Sequence, residues 1–235
     1  MRSIVIIPTY NERERVGPLV SAVLMADTAL DILVVDDIWA DGSGAIADGS
    51  VRHSDRERVR HRPGEVGPGA AYLVGFAYAL SRDYRCIREM DAGFSPDPAD
   101  LPRLLAPVRA GAADLAAGSR RAPGGRTRGW PAHRRIIGLG GPVRELTGGC
   151  NCCPRRALEQ LDLGAVRASD HGFRGELTYR ALHTGSRVLE VSIGCTERRC
   201  GRVGMSGRIV AEAPAVVWRL RFGRPTPRVA GEVAR

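Results

Sequence analysis

"SIVIIPTYNERERVGPLVSAVLMA", residues 3–26, is the stretch that decides the fold. Its first six residues are a β-branched apolar run closed by Pro8, which predicts a buried strand. Beyond it, Val16, Leu19, Val20, Val23 and Leu24 recur at helical spacing. Asn11 stands before that helix as a candidate N-cap, with acids in the first turn. A buried strand followed at once by a helix is the start of a βαβ unit.

The chain repeats this alternation. "DILVVDD" (31–37) predicts a second buried strand ending in two acids, "SGAIADGS" (43–50) a short helix, and "RVRHR" (58–62) a more exposed third strand. "GAAYLVGFAYALS" (69–81) is apolar or small on nearly every face and predicts a well-buried helix. "RCIREMD" (85–91), "PADLPRLLAPVRAG" (98–111) and "ADLAAGS" (113–119) continue as strand, helix and strand. The pattern predicts a mostly parallel central sheet with helices on both faces. Ligands of such sheets bind beyond the carboxyl ends of strands, at a topological switch point. The polar residues gather at those exits: Pro8 to Glu12, Asp36 and Asp37, Asp91, Ser119 and Arg120.

After residue 121 the texture changes. "RAPGGRTRGWPAHRR" (121–135) predicts a basic loop, and "LGGPVRELTGGCNCCPRRALEQL" (139–161) is broken by glycines and ends in a helix. "FRGELTYRALHTG" (173–185) reads as a helix with a glycine stop and "SRVLEVSI" (186–193) as a strand. "SGRIVAEAPAVVWRLRFGR" (206–224) reads as an amphipathic helix kinked at Pro214. Its Trp218, Leu220 and Phe222 among arginines suit either an interface or a core.

Hydrophobic residues are 43% of the 235, enough for a sizeable core. The net charge of +9 favours acidic partners, and no lysine contributes to it. Arginine binds phosphate bidentately, so the bias suits phosphate chemistry. The arginines are scattered with few interleaved aromatics, which argues against nucleic acid. No export signal and no apolar run of membrane-spanning length is found, so a cytoplasmic location is expected. The six cysteines then read as reduced thiols. Cys150 and Cys153 form one C-x-x-C pair without a second, so a zinc cluster is not expected. Gly67 and Gly69 resemble only part of a dinucleotide fingerprint.

The exits differ in chemistry. Tyr10 and Glu12 suit stacking and hydrogen bonding to a base, and Asp36 and Asp37 suit a base or ribose. Asp91 suits a metal on a diphosphate, and Arg120 a phosphate. In order along the chain stand "IPTYNERE", "VVDD", "HRPGEVGPGAAYLVGFAYAL", "EMDA", "LPRLL", "GSRR", "TGG" and "MSGRIV". That succession is similar to the dolichol- or polyprenol-phosphate mannosyltransferases, inverting members of glycosyltransferase family 2 with the GT-A fold.

The resemblance runs from Ser3 to about Phe222. It implies one domain over 1–222, with a nucleotide-sugar half (1–121), an acceptor half (122–222) and a disordered tail (223–235). It implies GDP-mannose as donor, a polyprenyl phosphate as acceptor, Mg²⁺ or Mn²⁺ as cofactor, and peripheral contact with the cytoplasmic face of a membrane. Pro8, Tyr10, Glu12, Val35 and Asp37 would then bind the nucleotide. Asp91 and Ala92 would lie at the sugar diphosphate, with Asp91 as metal ligand. Arg120 and Arg198 would address phosphates, with Asp91 and Arg120 the catalytic pair.

Several departures from the family pattern fall on these positions. The acid–Ala–acid motif reads Asp91-Ala92-Gly93, and Phe94 stands where glycine is usual. Ile38 and Trp39 replace a tight turn, a lysine is Gly204, another is Glu65, and an arginine is lost at Asn151. These changes carry an alternative expectation: a fold that binds a nucleotide or a partner without transferring sugar, or one with a changed donor. Glu89, two residues before Asp91, shares its strand face and is a candidate helper.

Overall fold

The computed structural model describes residues 1–37, 42–51, 55–64, 67–128, 143–145, 148–166 and 172–196. The predicted alternation is present: β1 (Ser3–Thr9), α1 (Arg13–Ala26), β2 (Leu30–Asp37), α2 (Ser43–Val51), β3 (Glu57–Arg62), α3 (Pro68–Leu80), β4 (Cys86–Met90), α4 (Leu101–Arg109) and β5 (Leu115–Ser119). Then follow β6 (Arg126–Arg128), β7 (Cys150–Pro154), α5 (Arg155–Gln160), α6 (Gly172–His183), β8 (Val188–Ser192) and β9 (Gly194–Thr196).

Seven strands form one sheet in the order β3-β2-β1-β4-β7-β5-β8. All neighbours are parallel except β7, which runs antiparallel to both β4 and β5. Strand order reverses between β1 and β4, so the switch point lies there. β6 and β9 pair as a small separate ribbon.

The period-two pattern of the strands sorts the core into two faces. Ile4, Ile6, Leu33, Val35 and Ile87 pack against Tyr72 and Phe76 of α3 and Phe173 and Leu177 of α6. Val5, Ile7, Ile32 and Val34 pack against Val16, Leu19, Val20 and Val23 of α1. Leu104 and Val108 of α4 cover Cys86, Ala116, Cys150 and Cys152. Gly75 of α3 lets that helix lie close to the sheet, because a Cβ there would stand 2.4 Å from Ile6 Cγ2.

Two sequence expectations change. β7 sits where only a glycine-broken stretch was expected. Its approach depends on Gly148 and Gly149: a Cβ on Gly148 would lie 1.7 Å from the Gly118 carbonyl oxygen, and one on Gly149 2.8 Å from that of Ser95. Asn11 is not the N-cap of α1; it is left-handed at φ 53, and Glu12 takes the cap position without a side-chain cap bond. Among the described residues, no helix is long and apolar enough to cross a membrane. The expected helix over 206–224 and the tail lie outside the described residues.

Candidate active site

The carboxyl ends of β1, β2, β4 and β5 share one edge of the sheet, with the start of antiparallel β7 among them. This brings Pro8, Tyr10, Glu12, Val35, Asp37, Asp91, Ala92 and Arg120 to that edge. Val35 and Ala92 are buried in the two core faces, so only their main chain is available to a ligand. Arg198, Glu65, Ile38, Trp39, Gly204, and Arg134 and Arg135 of the basic loop, lie outside the described residues.

At the β1 and β2 exits the acids are held in place. Glu12 is buried, and its Oε2 accepts from Arg15 Nη1 at 2.5 Å. Asp36 Oδ1 accepts from Thr9 Oγ1 at 2.8 Å and Ser43 Oγ at 3.2 Å. His61 spans Asp36 and Asp48, with Nδ1 3.4 Å from one and Nε2 3.0 Å from the other. Partial burial pulls the His61 pKa down, but the bond and charge of Asp48, then those of Asp36, leave it above the ordinary imidazole value. Asp37 and Arg62 are register partners on β2 and β3 and are both buried. Arg62 Nη2 donates to Oδ2 at 2.9 Å; Nε lies 2.7 Å from Oδ1 but off the hydrogen-bond direction.

The β4 exit differs in an unexpected way. Asp91 is gripped by Arg174 of α6, whose Nη2 donates to Oδ1 at 2.7 Å and Nη1 to Oδ2 at 3.1 Å. Arg174 Nη2 also donates to the Tyr72 hydroxyl, which in turn lies 3.3 Å from Asp91 Oδ1. The guanidinium sits 4.9 Å over the Tyr72 ring, and that ring stacks on Phe173 at 5.7 Å. Arg174 Nε faces Glu89 Oε2 at 3.4 Å, too far for a good hydrogen bond. Glu89 is buried beneath it; among the described residues, neither of its oxygens, nor the Asn151 Nδ2 of its register partner, has a well-aligned hydrogen bond. Burial raises the Glu89 pKa, and the charge of Arg174 opposes that rise. Burial works against the charge of Arg174, but Asp91, Tyr72 and Glu89 more than offset it.

The described residues do not fit a divalent cation here. Both Asp91 oxygens face a guanidinium, Gly93 offers no carboxylate, and the orphaned Glu89 oxygens lie beside Arg174 Nε. Among the described residues, no three His, Cys, Asp or Glu side chains converge as a cation site. Cys150 and Cys153 belong to opposite core faces, so they cannot share a metal; both are free and buried.

At the β5 exit, Arg120 pairs with Glu145 through its guanidinium, and its backbone N–H donates to Glu145 Oε2 at 2.6 Å. Glu145 is buried, and its own N–H donates to Glu190 Oε1 at 2.8 Å.

Arg174, Arg62 and Glu145 were missed by sequence reasoning. For Arg174 a signal exists. It lies on the α6 stripe that buries Phe173, Leu177 and Ala181. An arginine on such a stripe needs a buried acid opposite it.

Residues 4–161 match the family model described as "Glycosyl transferase family 2". The chain is 44% identical, over 94% of its length and 88% of the relative's, to the polyprenol monophosphomannose synthase of Mycolicibacterium smegmatis. It is 39% identical, over 93% of both chains, to the undecaprenyl-phosphate mannosyltransferase of Micrococcus luteus. The fold matches the mannosyltransferase PcManGT of Pyrobaculum calidifontis, solved with GDP-Man and Mn²⁺, with a TM-score of 0.64 at 14% identity. That match covers 94% of this chain and 70% of the other.

Proposed function

From the premise that this chain belongs to glycosyl transferase family 2 and has the GT-A fold, we propose that it moves mannose from GDP-mannose to a polyprenyl phosphate, with inversion, at a membrane surface. The observation that carries this reading is the near-full-length identity of 44% to a protein named for the same product class. The gathering of Tyr10, Glu12, Asp37, Asp91 and Arg120 at a switch point supports it.

The chemistry asks little covalent help of the protein. An oxygen of the acceptor phosphate attacks C1 of the sugar while the bond from C1 to the diphosphate oxygen breaks. The electron pair leaves with GDP, and attack from the opposite side inverts C1. The acceptor is already an anion, so no base needs to remove a proton. The protein aligns the two substrates and meets the charge that grows on the diphosphate. In this reading Pro8, Tyr10, Glu12, Val35 and Asp37 address the nucleoside. Asp91 and Ala92 lie at the sugar diphosphate, and Arg120 and Arg198 address phosphates.

The test follows radiolabelled mannose from GDP-mannose into extractable lipid in the presence of a polyprenyl phosphate. Label in the lipid is the expected result. No transfer from GDP-mannose sinks the donor assignment, and no transfer from any common nucleotide sugar sinks the reading. A second reading, a chain that binds a nucleotide without transfer, is favoured by the grip of Arg174 on Asp91 beside Gly93. Label reaching lipid with the native chain removes it.

A further inference from the structure

We propose that Arg174 holds the place beside Asp91 that a divalent cation would need, so that a nucleoside diphosphate binds at this edge without one. The second half rests on the reading of the site as one for a nucleotide sugar. The first half stands on geometry alone.

A divalent ion bound to Asp91 would sit about 2.0–2.6 Å from a carboxylate oxygen. Both oxygens already receive guanidinium hydrogen bonds, at 2.7 and 3.1 Å. The ion would have to share the carboxylate with a fixed positive charge. Arg174 cannot step aside cheaply. Its side chain is 9% exposed, it lies on the Tyr72 ring, and its Nη2 donates to the Tyr72 hydroxyl. Moving it would also take from Glu89 the cation beside it. Position 93 supplies no second carboxylate to draw an ion in.

Charge leads to the same place. Asp91 and Arg174 sum to zero, as two carboxylates and a divalent ion do, while Glu89 lies buried beneath the guanidinium with its pKa raised toward the neutral acid. The surface offered to a diphosphate is therefore not more acidic for lack of metal. A guanidinium is also a planar multiple donor suited to phosphate oxygens. Asp91 then acts as the residue that orients Arg174, and its side chain is partly exposed at 27% while Arg174 is nearly covered.

The experiment has two arms on the full chain. In the first, Mn²⁺ alone is titrated with the native protein, and free Mn²⁺ is read by electron paramagnetic resonance. The expected result is an undiminished signal for the native chain and a diminished one for the double variant R174Q/G93D. Loss of signal with the native chain overturns the proposal. The native titration decides this arm even if the variants fail to fold. In the second arm, calorimetry measures GDP binding in EDTA and in Mn²⁺. Equal affinity within about twofold supports the proposal, and about tenfold tighter binding in Mn²⁺ overturns it. If neither GDP nor UDP binds in either buffer, the glycosyltransferase reading falls, and the Mn²⁺ titration alone decides the place of Arg174.

Discussion

Asp37 and Asp91 stand at the same edge of one sheet, and each meets an arginine through two guanidinium nitrogens, yet the two pairs are built differently. Asp37 and Arg62 are register partners on adjacent parallel strands, 25 positions apart. Their pairing is a property of the sheet and forms as soon as β2 and β3 align. Asp91 and Arg174 are 83 positions apart and join a strand exit to a helix packed on one sheet face. Their pairing exists only once α6 has docked. Among the described residues Asp37 meets Arg62, whereas Asp91 shares its arginine with Glu89, which lies beneath the same guanidinium. The acid at the β2 exit is thus set locally, while the acid at the β4 exit reports the tertiary fold.

The most severe way to break this comparison is to remove the shared arginine. R174A leaves two carboxylates without their cation, one of them buried. It should cost about 5 kcal/mol in urea unfolding, the upper end for breaking a buried pair. A cost below about 1 kcal/mol would mean that the pair is replaced by water and side-chain movement. R62A leaves one carboxylate and should cost about 3 kcal/mol in the same assay. Were R62A the more damaging of the two, the ranking of local and tertiary pairs would be reversed.

F94G sharpens the β4 side. Phe94 holds φ 54 and is 37% exposed, so it bears the left-handed strain while most of its ring is covered. Glycine there relieves about 1–2 kcal/mol of strain but gives up the covered ring and adds backbone freedom to the unfolded chain, so the variant should lose about 1 kcal/mol, read as a lower melting temperature.

The smallest effect is at the β2 exit and depends on pH. The folded His61 pKa is raised, so its contribution is fully present below the unfolded value of about 6.5 and fades as pH rises through the folded value. H61Q should therefore be less stable than the native chain at acidic pH, with the gap closing on the alkaline side. A gap that stays constant with pH would show that His61 matters by packing and not by charge.

Much of the fold was legible because it is local. Ile4, Ile6 and Val5, Ile7 alternate in the sequence as they alternate between the two core faces, and the strand exits follow from the order of elements. β7 was not legible. "CNCCP" has neither a branched apolar run nor a clean alternation, and its place between β4 and β5 is set by glycines that fit against distant backbone. The site divides the same way. Asp37, Asp91 and Arg120 could be placed at the strand exits because acids and a base at strand ends are visible in one dimension. Their partners Arg62, Arg174 and Glu145 could not, since what selects them is distance in the folded chain. Glu89 does share the side of Asp91 as the spacing predicted, but it serves Arg174.

The seat of β7 also bears on how the chain is made. On the ribosome β5 emerges before either of its sheet neighbours, since β7 and β8 both follow it. At about 5–20 residues per second, β4 keeps one edge open and β5 both edges for a few seconds. Open strand edges are templates for pairing with other chains. A nascent chain halted after β5 should therefore be held by chaperones, and one that has released β8 should not.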